Sequence, residues 1–220
     1  MGSTVAPRQL LPRDARRAQI LAAAAHAFSH EGYVATSVED VARQAGITRL
    51  IVYRHFESKA DLYRAILDQV SVRLAEEWER SAADDPVARD QAVRTLLTVA
   101  RELPDGFRLL FVHASREQEF AAYAEALREI QESLVDSLLG ELIDAGPFHD
   151  WVVRMVVRFL MSAVLEWLEV GERGHDELFL DRASVGLAAM VESWIASAET
   201  EADADADADA DGAAPRSTRK

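Results

Sequence analysis

The 220-residue chain contains no cysteine, and this absence removes several kinds of chemistry at once. Disulfide bonds, thiolate catalysis and cysteine-ligated zinc are excluded. The G-x-S-x-G, H-E-x-x-H, Walker and G-x-G-x-x-G motifs are also missing, so the sequence lacks these common catalytic and nucleotide-binding signatures. The sequence therefore predicts a protein that is not an enzyme and has no catalytic residues and no cofactor, with an all-helical enzyme as the alternative. A chain without thiols fits a reducing compartment, and we expect a cytoplasmic protein.

Long uninterrupted apolar runs are missing as well. Residues 1–14 have no apolar core of signal-peptide length, so no export signal is expected. The most apolar stretch, residues 151–170, is as long as a membrane span but contains two arginines and two glutamates. Because charges are costly in the bilayer core, we interpret this stretch as a buried bundle helix.

Positive charge is scarce and unevenly distributed. The net charge is −14, but residues 1–65 carry nine Lys and Arg against six Asp and Glu, whereas residues 66–220 carry fifteen against thirty-two. A modestly basic head on an acidic body is compatible with a phosphate-binding face near the N-terminus. The acidic body either weakens non-specific DNA affinity or simply favours solubility. A protein-interaction module that does not bind DNA stays open as an alternative.

Apolar residues recur at spacings of three and four throughout the chain, and no alternating run flanked by hairpin turns occurs. The pattern predicts an all-α fold of about nine helices. We expect a disordered arm at 1–12, a three-helix domain with a helix-turn-helix at 13–64 and a C-terminal helical bundle at 65–200. The acidic segment 201–220 is predicted to be disordered, because its alternating aspartates place like charges four apart. It is either a solubilising tail or a DNA mimic.

Glycine, proline and capping residues define the predicted helix ends. The predicted helices cover residues 14–29, 38–45, 49–56, 59–83, 86–102, 104–115, 117–144, 149–170 and 177–198.

The segment 37–56 has the pattern of two short helices joined by a tight turn. Ser37 and Asp40 form a predicted capping box at the start of the first helix, and Thr48 is a predicted cap of the second. Gly46 permits the positive φ that the turn requires.

The second of these helices divides into an inner and an outer face. Val52 and Phe56, four apart, form the inner face, which leaves Arg49, Tyr53 and His55 to point outward. A recognition helix requires this division, because one face is anchored and the other meets the major groove. Arg49 is suited to a guanine or a phosphate, and the other two to phosphate oxygens. The alternative is that these are ordinary capping and surface residues.

Residues 15–67 resemble the N-terminal signature of the TetR family of transcriptional repressors. The features that carry the resemblance are Phe28, Gly32-Tyr33, Ala35-Thr36-Ser37, Val41-Ala42, Ala45-Gly46-Ile47, Tyr53-Arg54-His55-Phe56 and Ser58-Lys59. The resemblance implies a homodimeric repressor that binds a palindromic operator and releases it when a small molecule binds the C-terminal domain. It also implies DNA contacts at Thr36, Ser37, Thr48, Arg49, Tyr53, Arg54, His55 and Lys59.

Two positions depart from the family pattern. Leu50 stands where the family usually has a small residue, and Ile51 where it usually has Ser or Thr. We expect Leu50 to contact a thymine methyl group and a phosphate contact to be lost at position 51. The operator sequence is therefore not transferable. The effector, the regulated genes and the choice between repression and activation are left open.

The last two predicted helices are the candidates for the dimer interface. The final helix carries an apolar stripe with small residues that allow close approach, and the alternative is plain intrachain core. The predicted interface residues are Ala183, Gly186, Leu187, Met190 and Trp194.

A ligand pocket is predicted between the fourth and eighth helices, because aromatic residues with a few polar groups are typical of small-molecule sites. Most residues of such a set are expected to be ordinary core. Arg154 and Arg158, four apart on an apolar helix, are predicted to be buried and to pair with nearby glutamates or with an anionic ligand. The other predicted lining residues are Trp78, Phe107, Leu110, Phe111, His113, Trp151, Met155, Phe159 and Trp167.

No metal site is predicted. An E-x-x-H motif at Glu172 and His175 occurs once and straddles Gly174, whereas a di-iron bundle needs two copies on helices. His26 and His30 lie four apart on the first helix, but the sequence shows no third ligand for them.

Overall fold

The computed structural model describes residues 11–84, 90–140, 142–143 and 145–212. Within these ranges the protein is helical and contains no strand, which confirms the predicted all-α fold. The α-helices are α1 (Arg13–Glu31), α2 (Val38–Gln44), α3 (Arg49–Tyr53), α4 (Lys59–Asp84), α5 (Gln91–Glu102), α6 (Pro104–Arg108), α7 (Ala121–Leu139), α8 (Pro147–Val170) and α9 (Asp176–Gly212). The predicted arm residues 1–10 and the predicted helix start at Pro86 lie outside the described residues.

The helix-turn-helix follows the predicted capping and turn chemistry. At the start of α2, the Ser37 hydroxyl accepts a hydrogen bond from the Asp40 amide at 3.2 Å, and the Asp40 carboxylate accepts one from the Ser37 amide at 2.9 Å. Gly46 has φ +64°, in the left-handed region that favours glycine. Thr48 has the extended backbone of an N-cap residue, but its side chain makes no capping hydrogen bond.

Helix α3 is shorter than predicted, because it ends at Tyr53 rather than near Phe56. After Tyr53 the backbone forms a tighter turn, in which the His55 amide donates a hydrogen bond to the Val52 carbonyl at 2.9 Å. This turn still brings Phe56 inward, where it is 3% exposed.

An aromatic cluster connects the helix-turn-helix to the helices that follow it. Phe28 of α1, Tyr63 of α4 and Phe120 are fully buried, and the Tyr63 ring lies 5.3 Å from Phe28 and 4.3 Å from Phe120. Tyr33, in the loop after α1, lies edge-on to both Tyr63 and Phe120, at 5.0 and 5.1 Å. The first turn of the predicted helix at 117–144 is absent because Phe120 turns into this cluster, so α7 begins at Ala121.

The predicted helix 104–115 is instead three short segments. After α6, residues 109–113 form a π-helical turn and residues 114–116 a 3-10 turn. Gly106 allows α6 to approach α4 closely, since a Cβ atom there would lie 2.9 Å from a methyl group of Val70. The segment after α5 thus packs against both α1 and α4.

The chain divides into two compact units, residues 1–128 and 129–220. In the second unit, α8 packs against α9 and buries one valine-rich face, including Val152, Val156 and Val164. None of the described helices is both long and apolar enough to cross a membrane.

The acidic segment that begins at residue 201 was predicted to be disordered. Its first part is instead helical, since α9 continues to Gly212. Alanine, the strongest helix former, alternates with aspartate here, and repulsion between like charges four apart costs only about 0.2–0.5 kcal/mol per pair. A segment that extends an existing helix also avoids the cost of nucleation. Residues 213–220 of the predicted tail lie outside the described residues.

The two predicted caps should differ in their contribution to stability. Ser37→Ala removes a formed capping bond, and we expect it to lower the free energy of unfolding by about 1 kcal/mol. Thr48→Ala serves as the matched control with a much smaller effect, because the Thr48 hydroxyl makes no capping bond. Urea unfolding at one fixed protein concentration measures both values. Equal losses in the two variants would contradict the assignment.

Candidate DNA-binding surface

Helix α3 is anchored on one side and open on the other, as the sequence predicts. Val52 and Phe56 are 1% and 3% exposed, whereas Leu50 is 63% and Tyr53 39% exposed. Arg49 and Arg54 are exposed as well, and His55 is half-buried. An exposed leucine between an arginine and a tyrosine presents an apolar contact and several hydrogen-bonding groups on one short surface.

Arg49 is held in place by two neighbours. Its guanidinium forms an ion pair with Glu39 of α2 and donates a hydrogen bond to the Tyr53 hydroxyl at 3.2 Å. It also lies 5.0 Å from the centre of the Tyr53 ring. These contacts, the Tyr53 hydrogen bond first, raise the pKa of Arg49 above its ordinary value. The side chain is therefore a fixed cation shared between α2 and α3.

Three arginines at the start of α1 add to this surface, and the sequence analysis missed them. Burial first, and then Arg13, Arg17 and Arg16, lower the pKa of the His55 imidazole below its ordinary value, which places these cations near His55. The Arg17 guanidinium lies 5.2 Å from the centre of the Phe56 ring. The run RDARR was a visible signal, but only the tertiary contact of α1 with His55 and Phe56, just after α3, brings it near the recognition helix.

Two of the predicted DNA-contacting hydroxyls, those of Thr36 and Ser37, are engaged within the protein. Thr36 is 1% exposed, and its hydroxyl donates to the carbonyls of Gly32 and Ala27 at 2.8 and 3.3 Å. Ser37 belongs to the capping box of α2. The prediction that these hydroxyls face DNA therefore needs correction, because internal hydrogen bonds already use them. Thr48 is exposed and retains a hydroxyl without a capping bond.

Lys59 connects the start of α4 to the loop after α1. Its ammonium donates to the carbonyls of Tyr33 and Thr36 at 2.8 and 3.1 Å and lies 4.3 Å from the centre of the Tyr33 ring. Two of its three hydrogens are thus used, and one is left for a phosphate oxygen.

The predicted pocket residues divide between the two compact units. In the first unit, Phe107 and Leu110 are core residues, at 0% and 2% exposed, whereas Trp78, Phe111 and His113 are half-buried. Burial first, and then Arg116, lower the pKa of His113. A separate open cleft of about 550 Å³ in this unit is lined by polar residues that include Arg17, Asp68, Arg73 and Glu102, and by none of the predicted lining residues.

In the second unit, Arg154 and Arg158 are exposed and not buried as predicted. They lie on the face of α8 opposite its valines, so solvent compensates their charge. The Trp167 indole donates a hydrogen bond to the Asp176 carboxylate at 2.7 Å, and its ring stacks on Phe179 at 4.8 Å. Trp167 therefore packs at the turn between α8 and α9. Met155 and Phe159 are half-buried.

The predicted interface residues on α9 do not share one exposed face. Ala183 is 8% exposed, and Leu187, Met190 and Trp194 are half-buried. Trp151 of α8, a predicted pocket residue, is 44% exposed and lies 4.7 Å from Trp194. The outward face of α9 instead presents Val185, Gly186, Ala189 and Ser193.

Comparison with known proteins identifies the N-terminal region. The family model described as bacterial regulatory proteins, tetR family, matches residues 20–66. The transcriptional activator FasR of Mycolicibacterium smegmatis is 34% identical over 104 residues, covering 46% of this chain and 48% of FasR. The transcriptional repressor Rv3405c of Mycobacterium tuberculosis is 33% identical over 130 residues, covering 58% of this chain and 65% of that protein. The chain thus spans about half to two thirds of the length of these curated relatives.

A third relative is matched over more of its length. The HTH-type regulator YfiR of Bacillus subtilis is 30% identical over 144 residues, covering 62% of this chain and 70% of YfiR.

Solved structures share the fold. A TetR-like regulator from a Rhodococcus species has a TM-score of 0.67 at 23% identity, covering 87% of this chain and 99% of that one. The SmeT–triclosan complex has a TM-score of 0.56 at 21% identity, covering 78% and 91%. The helix-turn-helix geometry, the family match and the relatives agree, and the chain belongs to the tetR family of bacterial regulatory proteins.

Proposed function

We propose that the protein is a homodimeric repressor that binds a palindromic operator and releases it when a small molecule binds outside the helix-turn-helix. The observation that carries the DNA-binding part is the anchored α3, which exposes Arg49, Leu50 and Tyr53 while Val52 and Phe56 are buried. The domain division proposed for this activity is a DNA-binding region at 13–64 and a regulatory and dimerisation region at 65–200.

Each exposed group of this surface suits a different part of the duplex. Arg49 lies in the first turn of α3, where base edges are met, and its guanidinium fits the two acceptors of guanine. Leu50 offers an apolar contact to a thymine methyl group. Thr48, Tyr53, Arg54, His55 and the α1 arginines are placed to bind phosphates, which fix the register of the protein without reading sequence.

In the free protein, Glu39 opposes DNA binding through its ion pair with Arg49. Its carboxylate holds Arg49 in the absence of DNA and places a negative charge at the edge of the binding surface. Arg49 must leave this ion pair before it contacts a base or a phosphate, and the Glu39 carboxylate repels phosphates of any sequence. We therefore expect Glu39 to lower the affinity for specific and unrelated DNA alike.

The DNA-binding proposal is tested by enriching random duplexes on the purified protein and measuring affinities for the selected sequence. We expect a palindrome and an affinity that falls steeply with salt. Arg49→Ala should weaken specific binding by about 1–3 kcal/mol and relax the preference at one base pair of each half-site. Tyr53→Ala and His55→Ala should weaken binding to all sequences alike. The absence of any enriched sequence would refute the proposal.

Two further variants serve as controls for that experiment. Arg116→Ala removes one exposed positive charge from the 3-10 turn, outside the helix-turn-helix, so it should leave the base preference unchanged. Glu39→Gln should change affinity in the opposite direction to Arg49→Ala, with tighter binding both to the enriched sequence and to unrelated DNA.

The dimer is proposed to form through the outward face of α9 together with α8. Small residues at 186, 189 and 193 allow a second helix to approach closely beside the exposed Val185, and a four-helix arrangement of α8 and α9 pairs is a common solution for such faces. A dimer is required because two recognition helices must lie about 34–36 Å apart to enter successive major grooves.

Val185→Glu should shift the protein from dimer to monomer, because it buries an unpaired charge in the proposed interface. Analytical ultracentrifugation at micromolar concentration measures this shift, and operator affinity should fall with it. Val72→Glu is the matched control, since Val72 is 56% and Val185 59% exposed but Val72 lies on α4. A Val185→Glu protein that remains dimeric would exclude this face.

The effector is proposed to bind beside the half-buried Phe111 and His113 of the π-helical turn. This turn follows α6, which packs against α1 and α4, so a ligand that shifts it has a direct physical route to the DNA-binding region. One structural neighbour, SmeT, was solved with triclosan, which supports a small apolar effector class.

Repression and release are tested together by transcription in vitro from a promoter that contains the enriched operator. Adding the protein should reduce transcription, as the repressor name of Rv3405c supports. A compound that raises the Tm in a thermal-shift screen should restore transcription in the wild type but less so in His113→Ala. Increased transcription would instead favour an activator, as FasR is named. A stabilising compound that leaves operator affinity unchanged would refute the coupling.

A further inference from the structure

Two histidines and an aspartate meet on the surface of the first compact unit. His26 and His30 lie one turn apart on α1, with ring centroids 4.1 Å apart. Asp105, in the first turn of α6, places its Oδ2 atom 3.2 Å from His26 Nδ1. One ligand atom from each of the three residues lies within 4.8 Å of the others.

We propose that His26, His30 and Asp105 form a binding site for a divalent transition-metal ion such as Zn²⁺. Imidazole nitrogen and carboxylate oxygen are the ligands that zinc takes from a chain without cysteine, and histidines at i and i+4 present both rings on one side of a helix. Ligand atoms on a tetrahedral ion are roughly 3.4 Å apart, given Zn–N distances of about 2.0–2.1 Å. The two histidines are exposed, so rotation of their rings can close the remaining gap, and water completes the coordination.

The hydrogen bonds around the cluster prepare it for an ion. His30 Nδ1 lies 2.9 Å from the carbonyl oxygen of His26 and donates to it, which leaves the lone pair on Nε2 free for a metal. Histidines that bind metals usually donate their other ring N–H to such an acceptor. The Asp105 Oδ1 atom lies 3.8 Å from the Arg108 guanidinium, so the other oxygen, Oδ2, is the one turned toward His26.

A simple surface ion pair between His26 and Asp105 is the competing explanation. It accounts for two of the three residues, but it gives no role to His30, which lies against His26 and makes its own orienting hydrogen bond. It also predicts no selectivity between metals, whereas a site of two imidazoles and a carboxylate favours Zn²⁺, Ni²⁺ or Cu²⁺ over Mg²⁺ and Ca²⁺.

An ion at this position would join α1 to α6. Helix α1 belongs to the helix-turn-helix region, and α6 begins the segment that packs against α1 and α4. Bound metal would therefore restrain the relative movement of these helices. Only the consequence for operator release rests on the proposed function, since metal binding itself is measured without DNA.

The site is tested on the untagged full-length protein after treatment with a chelator. Isothermal titration with ZnCl₂ should show one ion per chain, and Co²⁺ should give the visible absorption of a low-symmetry site. Free Zn²⁺ at about one hundred times its Kd should raise the Tm by roughly 5–10 °C. MgCl₂ at the same concentration should have no such effect.

Variants distinguish this site from adventitious binding. His30→Ala and Asp105→Asn should each weaken Zn²⁺ binding at least tenfold and reduce the thermal shift, while the Tm in chelator stays near the wild-type value because His30 is exposed and Asp105 half-buried. His175→Ala is the matched control, since His175 is also exposed and lies 3.8 Å from a carboxylate, that of Glu172. Equal Zn²⁺ affinity in wild type and the His26→Ala/His30→Ala double variant, or no Zn²⁺ binding at all, would overturn the proposal.

Discussion

Four aromatic rings, those of Phe28, Tyr33, Tyr63 and Phe120, pack together where the helix-turn-helix meets the following helices, and this buried contact joins α1 and its loop to α4 and to the segment before α7. Burial raises the pKa of Tyr33 to about 12, with the hydrogen bond from its hydroxyl to Glu119 as the next contribution. Burial also raises the pKa of Tyr63, whose hydroxyl finds no hydrogen-bond partner. Both hydroxyls therefore keep their protons at physiological pH, so the cluster holds no buried charge.

The DNA-binding surface and the proposed metal site lie on different parts of α1. Its first turns place Arg13, Arg16 and Arg17 near His55, and its last turns place His26 and His30 near α6. A single helix thus runs from the arginines beside His55 to the contact with α6. Local positive charge on this helix also explains how a chain of net charge −14 retains a surface that suits DNA.

The sequence predicted most reliably those features that neighbouring residues create. The Ser37–Asp40 capping box, the positive φ of Gly46 and the inward Val52–Phe56 pair all depend on residues within a few positions of each other, and all are present. Thr36 was predicted to contact DNA, and Arg154 and Arg158 were predicted to be buried. The structure differs in both cases, because burial depends on what packs against a residue. Thr36 is covered by α1, whereas the two arginines point away from the valines of α8.

By itself, the sequence determined the all-α class, the order of the helices and the outward residues of α3, because helical periodicity, capping and turn residues are local signals. The ion pair that holds Arg49 to Glu39, the arginines beside His55 and the meeting of Asp105 with His26 were decided only by tertiary structure. His26 and His30 were visible four apart, but their third partner lies 75 or more residues further along the chain. Only the packing of α6 against α1 brings it within reach, because the distance between side chains in space is not encoded by their spacing in sequence.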